Sequence, residues 1–186
     1  MMAKDEAVIP GQGWVLIGDA DTAVPDITKF KLADEATFSG WSWLGNTSKE
    51  NPPKLGKDGG DVKTHDTWDT PAMRSTVETT VYTMEIAALS VTKKTLDLAF
   101  PGGTWDDQKK IFSVPSKPGV VNKSVLVIMK DDVNGLSGFV FPNGALAIGD
   151  MPEIKTDGFF EINLKVTGNA SPTDGSPLRF IPIAAK

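Results

Sequence analysis

The distribution of apolar residues along the chain predicts a protein built mainly of β-strands. Short apolar or β-branched runs recur throughout, and most are bounded by glycine, proline, asparagine or aspartate. From Phe160 to Thr167 apolar and polar residues alternate without a break, which predicts one buried and one polar face. The predicted strands are 13–18, 37–45, 74–88, 111–114, 124–130, 138–142, 145–148, 159–166 and 178–183.

Two local signals add a helix and a turn. Thr92 is a good N-cap, Leu96 and Phe100 are four residues apart, and prolines and glycines follow, so a short helix is predicted after Thr92. Asn143 and Gly144 adopt positive φ angles easily, so this pair predicts a hairpin turn between the strands on either side.

Residues 46–72 are rich in Lys, Asp, Gly, Asn and Pro, and they predict a long loop with room for a short hairpin. Connections in compact domains usually have about four to six residues, so this loop is exceptional. It is either a surface insertion or a segment that becomes ordered on a neighbouring subunit. Pro177 and Pro182 cannot donate to a β-ladder, so the C-terminal segment lies at a sheet edge or leaves the domain.

The length of 186 residues fits one compact domain with extended segments better than two domains. We therefore expect a single domain over residues 1–186. It carries an N-terminal arm (1–12), the long loop (46–72) and a C-terminal arm (about 168–186).

Composition excludes several classes of function. The net charge of -5 argues against a protein that grips nucleic acid, because phosphate binding relies on clustered Lys and Arg. The chain has no cysteine, which excludes disulfides, thiolate nucleophiles and Cys-ligated metals. No apolar run is long enough for a transmembrane helix, and the polar start lacks the apolar stretch of a signal peptide. Synthesis is therefore expected in the cytoplasm, without membrane insertion.

The residues that carry most chemistry form no recognisable site. His65 is the only histidine, so a His-based metal cluster is excluded and a catalytic triad has one possible base. Several aspartates occur nearby, but they lack the spacing of a calcium loop, and no nucleophile elbow or phosphate-binding glycine motif is present. We predict no enzymatic activity, no cofactor and no metal.

The five tryptophans divide into two groups. Trp14, Trp41 and Trp43 lie inside apolar strand patterns, so we expect them in the core. Trp68 and Trp105 have polar surroundings, and buried aromatic residues are common anchors at interfaces between chains. An alternative is a carbohydrate-binding β-sandwich, which would stack sugars on a row of exposed tryptophans.

Four segments carry a resemblance to a known family. They are the stretch 13–25, the Trp- and Gly-rich stretch 40–48, the stretch 68–74, and the Thr-rich strand with its following helix, 76–100. In this order they resemble the tail tube proteins, or major tail proteins, of siphophages, particularly those that infect actinobacteria. The resemblance covers about half of the chain.

The resemblance implies a β-sandwich or partial barrel with one short helix. It also implies that the subunits assemble as hexameric rings, which stack into a virion tail tube through which DNA is ejected. It implies contacts with other copies, with a tape measure protein and with other tail proteins, while DNA passes without specific binding. A tail terminator or head–tail connector is the alternative within the same class.

Two sets of residues are candidates for these roles. The predicted subunit-interface residues are Pro52, Pro53, Lys54, Leu55, Trp68, Pro71, Arg74 and Trp105. The predicted lumen-facing residues are Thr79, Thr83, Glu85, Glu161 and Asn163, with Lys165 as a basic exception on the same face. A neutral to acidic lumen would repel DNA weakly.

Overall fold

The computed structural model describes residues 8–31, 38–131 and 135–183. This part of the chain is mainly β, as predicted, with one α-helix, α1 (Lys93–Ala99), and a 3₁₀ turn at Ile27–Lys29. The strands are β1 (Pro10–Asp19), β2 (Trp41–Trp43), β3 (Lys54–Gly59), β4 (Val62–His65), β5 (Arg74–Val77), β6 (Thr80–Ala88), β7 (Thr104–Asp106), β8 (Ile111–Ser113), β9 (Val121–Asp131), β10 (Gly135–Ile148), β11 (Ile162–Gly168) and β12 (Arg179–Ile181).

Eight strands form one antiparallel sheet in the order β2-β1-β9-β10-β11-β6-β3, with β12 added beside β10. Two small two-stranded ladders, β4-β5 and β7-β8, complete the architecture. One half of the sheet contains β2, β1, β9 and β12, the other contains β11, β6 and β3, and β10 joins them. One core cluster includes residues from both halves and from α1, so the halves enclose a common interior. This is the predicted β-sandwich class of fold.

Strand β10 belongs to both halves because a bulge bends it. Its first part pairs with β12 and its last part with β11, while β9 pairs with both parts across a register shift between Phe141 and Gly144. The predicted hairpin turn at Asn143 and Gly144 is therefore wrong. The Pro142 carbonyl accepts hydrogen bonds from Asp21 N (2.7 Å) and Ser124 Oγ (2.6 Å), which stabilise the bulge.

The central strands are buried on both faces. One face packs into the main core, where Phe141, Met84 and Ile86 are among the largest fully buried side chains of the described residues. Leu126, Ile128 and Val140 lie on the opposite face of the sheet. They belong to a second cluster with Ile27, Phe38 and Trp41. Continuous apolar runs such as 125–128 are explained by this burial on both sides.

Helix α1 confirms the predicted cap and position. Thr92 accepts a hydrogen bond from Thr95 N through its hydroxyl (3.3 Å), and the helix ends at Phe100, before the glycines. Leu98 and Ala99 are buried in the main core. Among the described residues, no helix has the length and hydropathy needed to cross a membrane.

The segment 46–72 contains strands where the composition predicts a loop. β3 pairs with β6, and β4 pairs with β5, so this segment is the first strand of a long, interrupted hairpin. The predicted strand 74–88 is its second strand and is interrupted at Glu78 and Thr79. β3 and β4 lack apolar alternation because nearly all of their side chains are exposed or half-buried.

The predicted terminal arms lie partly outside the described residues, which exclude 1–7 and 184–186. Residues 10–12 belong to β1, where they pair near the end of β9. In the C-terminal segment, β12 pairs with β10 at Gly138 to Val140.

Candidate assembly surfaces

A two-stranded hairpin projects from one end of the sheet; we call it the projecting hairpin (residues 60–79). It continues the β3-β6 ladder through β4 and β5, with Glu78 N donating to the Asp61 carbonyl between the two ladders (3.0 Å). Almost every residue in it is exposed. It extends about 20 Å beyond the Gly59–Thr80 pair, since a strand rises about 3.3 Å per residue.

The two faces of the projecting hairpin differ in polarity. Val62 and Val77 lie opposite each other on one face and are 64% and 68% exposed. On the other face His65 pairs with Arg74, and Lys63 forms an ion pair with Glu78. His65 Nε2 and Thr76 Oγ1 are 2.8 Å apart on this polar face.

Local hydrogen bonds hold the tip of the projecting hairpin in one conformation. Thr67 N donates to the Thr70 carbonyl (2.9 Å), and Asp66 Oδ1 accepts from Ala72 N (2.7 Å). Ala72 has a positive φ of 55°, which the tight turn requires. These bonds present Trp68 with its side chain fully exposed.

The predicted interface residues therefore lie in three places. Trp68, Pro71 and Arg74 are on the projecting hairpin, whereas Pro52, Pro53, Lys54 and Leu55 lie near the other end of the sheet. Trp105 is in β7, half-buried, with Nε1 donating to Asp107 Oδ1 (2.9 Å).

Three strands, β11, β6 and β3, present a continuous outer face. Along one row, Lys165 lies opposite Glu85, and Glu85 lies opposite Lys54. In the next row Thr167, Thr83 and Gly56 follow each other. We call this surface the polar face; it consists of Lys54, Gly56, Thr83, Glu85, Asn163, Lys165 and Thr167.

The structure brings four predicted lumen residues together on or beside this polar face. Thr83, Glu85 and Asn163 belong to it, and Glu161 directly precedes β11 and accepts a hydrogen bond from Asn51 Nδ2 (2.8 Å). Thr79 is separate, in the interruption before β6. Glu85 lies between Lys54 and Lys165 on this face and Glu161 lies beside it, so the charge of the surface is mixed.

A cleft of about 1130 Å³ lies at the end of the sheet away from the projecting hairpin. The connection between β10 and β11, residues 149–161, forms one wall, and Pro52 to Leu55 form part of another. Glu85 and Asn163 also line it. Residues predicted separately as interface and lumen are thus neighbours here.

Sequence reasoning missed the 149–161 connection as a surface. Met151, Ile154 and Phe159 are exposed there by 68%, 90% and 75%, and Phe160 is partly exposed. The sequence instead predicts a strand from residue 159 with Phe160 on its buried face. This is wrong for residues 159–161, because β11 begins at Ile162 and both phenylalanines are exposed.

The described residues include no row of exposed tryptophans of the kind that a sugar-binding sandwich would need. Trp41 is buried in the second core cluster, and Trp14 and Trp43 are half-buried. Trp68 is exposed by itself at the tip of the projecting hairpin. Across these same ranges no group of three or more His, Asp or Glu side chains is arranged to hold a metal.

One electrostatic feature fastens the C-terminal segment. Arg179 donates to both carboxylate oxygens of Asp174 (2.8 and 3.1 Å) and to Ser171 Oγ (3.1 Å). Ser171 in turn donates to Asp21 Oδ1 (2.5 Å). The hydrogen bonds from Arg179, followed by those from Ser176, hold the pKa of Asp174 well below its usual range.

The fold and these surfaces define a mainly β protein whose prominent features are an open sheet edge, a polar sheet face and a projecting hairpin. A family model described as phage tail tube protein matches residues 1–181. The chain therefore belongs to the phage tail tube protein family.

Two relatives agree with this assignment. The chain is 30% identical to the major tail protein Gp23 of Mycobacterium phage D29 over 140 residues, which cover 70% of this chain and 69% of that protein. It is 28% identical to the major tail protein Gp23 of Mycobacterium phage L5 over 140 residues, with the same coverage. The predicted resemblance to actinobacteriophage tail proteins is confirmed.

Proposed function

We propose that this protein is the structural, non-catalytic subunit of a siphophage tail tube, and that it polymerises as stacked hexameric rings. The family match over residues 1–181 is the observation that carries the proposal. The two mycobacteriophage relatives, both named major tail proteins, support the same role. In this proposal the protein is assembled in the host cytoplasm and resides in the virion tail.

The partners follow from the same role. Each copy contacts other copies, the tube encloses a tape measure protein during assembly, and other tail proteins close its ends. Genomic DNA later passes through the lumen without specific binding. No cofactor or metal takes part.

An open sheet edge supports polymerisation. β3 ends the sheet, and within the described ranges it pairs with β6 on one side only. An exposed edge is a template for another strand, so a soluble protein must protect it or use it. We propose that an adjacent copy pairs with this edge, which joins the sheets of one ring into a continuous barrel.

The polar face is our candidate for the lumen wall. It lies on strands that continue to the open β3 edge, so closing a ring through that edge would place the same face of every copy on one side of the barrel. Thr83, Glu85, Glu161 and Asn163 would then contribute to that wall, with Lys54 and Lys165 balancing the carboxylates. Such a surface of mixed charge offers DNA no continuous track of cations.

The projecting hairpin supports assembly because a single subunit gives it almost no burial. Replacing residues 60–79 by Asn-Gly would join the directly paired Gly59 and Thr80 through a two-residue turn. We expect this variant to unfold cooperatively, like the unaltered protein, but to form no long tubes in negative-stain electron microscopy. Retention of long tubes would contradict the role of the hairpin, and loss of folding would show that it belongs to the core.

The same microscopy tests the function itself. The unaltered protein should form rings and hollow tubes at high concentration. Assembly that always stops at single rings would favour a tail terminator or connector, and a protein that stays monomeric under all conditions would overturn the proposal.

A further inference from the structure

Two apolar surfaces remain uncovered at opposite ends of the same sheet. The first is on the projecting hairpin, where Val62 and Val77 share a face, Met73 directly precedes β5, and Trp68 occupies the tip. Exposed apolar groups on a rigid element are typical of contact sites between chains, and tryptophan is the residue most enriched among their anchors.

The second surface is the 149–161 connection, with Met151, Ile154 and Phe159 as its most exposed apolar residues. The register places it at the other end of the sheet, because Ile148 pairs with Leu164 and Ile162 pairs with Ala88. The projecting hairpin starts instead beyond Thr80, at the opposite end of β6. The length of β6 separates the two surfaces, about 27 Å at strand rise.

We infer that the projecting hairpin of one copy packs its apolar face on the 149–161 connection of a copy in the next ring. The inference rests on the proposed function. The strands of a closed barrel run at about 35–45° to its axis, so the two ends of each sheet face the rings above and below. The hairpin of one copy then meets the connection of another, so the contact joins two different surfaces. A contact between different surfaces can be repeated from ring to ring without limit, as a tube requires.

Net charge does not drive this pairing. The 149–161 connection contains Asp150, Glu153, Asp157 and Glu161 against one lysine, Lys155. That lysine is 3.6 Å from Glu153, so the remaining carboxylates are in excess. The projecting hairpin is also acidic overall, because it contains Asp61, Asp66, Asp69 and Glu78 against Lys63 and Arg74. Arg74 lies on the polar face of the hairpin, away from Val62 and Val77. Burial of the exposed apolar side chains therefore drives the contact.

The preformed tip lowers the cost of this contact. Thr67, Asp66 and Ala72 already hold the turn through hydrogen bonds, so little conformational freedom remains to be lost when Trp68 is buried. A flexible tip would have to become ordered at the moment of contact.

Because the chain has no cysteine, paired cysteine substitutions can test the contact directly. Met73→Cys and Ile154→Cys both replace exposed side chains, so the fold should tolerate them. After assembly and oxidation, the double variant should give a ladder of covalent oligomers on a non-reducing gel. Each single variant should give no ladder, and neither should the matched pair Met73→Cys with Val91→Cys, since Val91 is exposed elsewhere, just before α1.

The outcomes separate this inference from the proposed function. Tubes without a ladder, a ladder from the Val91 pair, or dimers from Met73→Cys alone would overturn the inference while leaving the tube function intact. A ladder without any tubes would support the contact and overturn the tube function.

A mixing experiment tests the polarity of the contact. We expect a hairpin variant (Trp68→Ala with Met73→Ser) and a connection variant (Ile154→Ser with Phe159→Ser) each to stop at single rings. Mixed together they retain one intact contact per pair, so pairs of rings should appear in electron micrographs without long tubes. If the mixture gives only single rings, or if either variant alone gives long tubes, the inference is wrong.

Discussion

Ser171 shows how a single buried hydroxyl can join distant parts of the chain. It lies between Asp21, in the turn after β1, and Arg179 at the start of β12. Arg179 also forms an ion pair with Asp174, and Asp174 accepts hydrogen bonds from Ser176. The group holds the connection between β11 and β12 against the body of the protein.

This group predicts an acid-sensitive contribution to stability. The folded state lowers the pKa of Asp174, so the ionised carboxylate stabilises folding above the unfolded pKa of about 3.9. The contribution is lost as the pH falls from there through the lower folded value. Asp174→Asn should therefore lower the urea midpoint at pH 7, and its difference from the unaltered protein should shrink below about pH 4.

A second carboxylate provides the control. Asp157→Asn removes an exposed carboxylate with no ion pair among the described residues and should leave the urea midpoint nearly unchanged at both pH values. A difference between Asp174→Asn and the unaltered protein that persists undiminished at pH 2 would contradict the assigned role of the charge.

At the scale of elements, sequence patterns predict a strand correctly where one of its faces is buried, and a helix where a capping residue is present. The alternation from Phe160 to Thr167 predicts β11, which begins two residues later at Ile162, and Thr92 predicts α1. Each pattern reflects a local physical cause. β3 and β4 are missed because they are held by pairing with β6 and β5, and their exposed side chains leave no apolar pattern.

The sequence likewise identifies some of the candidate surfaces and misses others. An unusual composition marks residues 46–72, where Trp68 can be selected from its residue type alone, as can Arg74 just after the segment. The apolar surface of the 149–161 connection cannot, because Met151, Ile154 and Phe159 are exposed only through the path of the backbone. The turn predicted at Asn143 is a bulge, since pairing of β9 on both sides of it is a tertiary property.

The cap of α1 gives a prediction at this scale. Thr92→Ala removes the hydroxyl that accepts from Thr95 N, so we expect the free energy of unfolding to fall by about 1 kcal/mol. Val91→Ala, at the exposed neighbouring position, should change it by a few tenths at most. Chemical denaturation of the unassembled protein measures both, and equal effects would show that the cap is unimportant.

For the whole molecule, the arrangement of faces relates the subunit to the proposed tube. The polar face, the open β3 edge, the projecting hairpin and the 149–161 connection are different surfaces of one subunit, and the shared core holds them in fixed relation. Each surface can therefore be altered separately.

The lumen assignment gives a prediction at the scale of the assembly. Glu85→Lys with Asn163→Lys should leave tubes intact but make them retain duplex DNA at low salt, since clustered cations release counterions on binding phosphate. Co-sedimentation of labelled DNA with tubes, repeated at increasing salt, measures this. Asp97→Lys, on the exposed side of α1, is the control, and equal retention by both variants would place the polar face outside the lumen.

The bulge in β10 has a mechanical consequence for a long tail. Because one strand passes through both halves of the sheet, the halves cannot slide or hinge without breaking ladders to β9, β11 and β12. Each subunit thus behaves as a stiff block. In the proposed tube, bending would therefore have to occur between subunits and not within them.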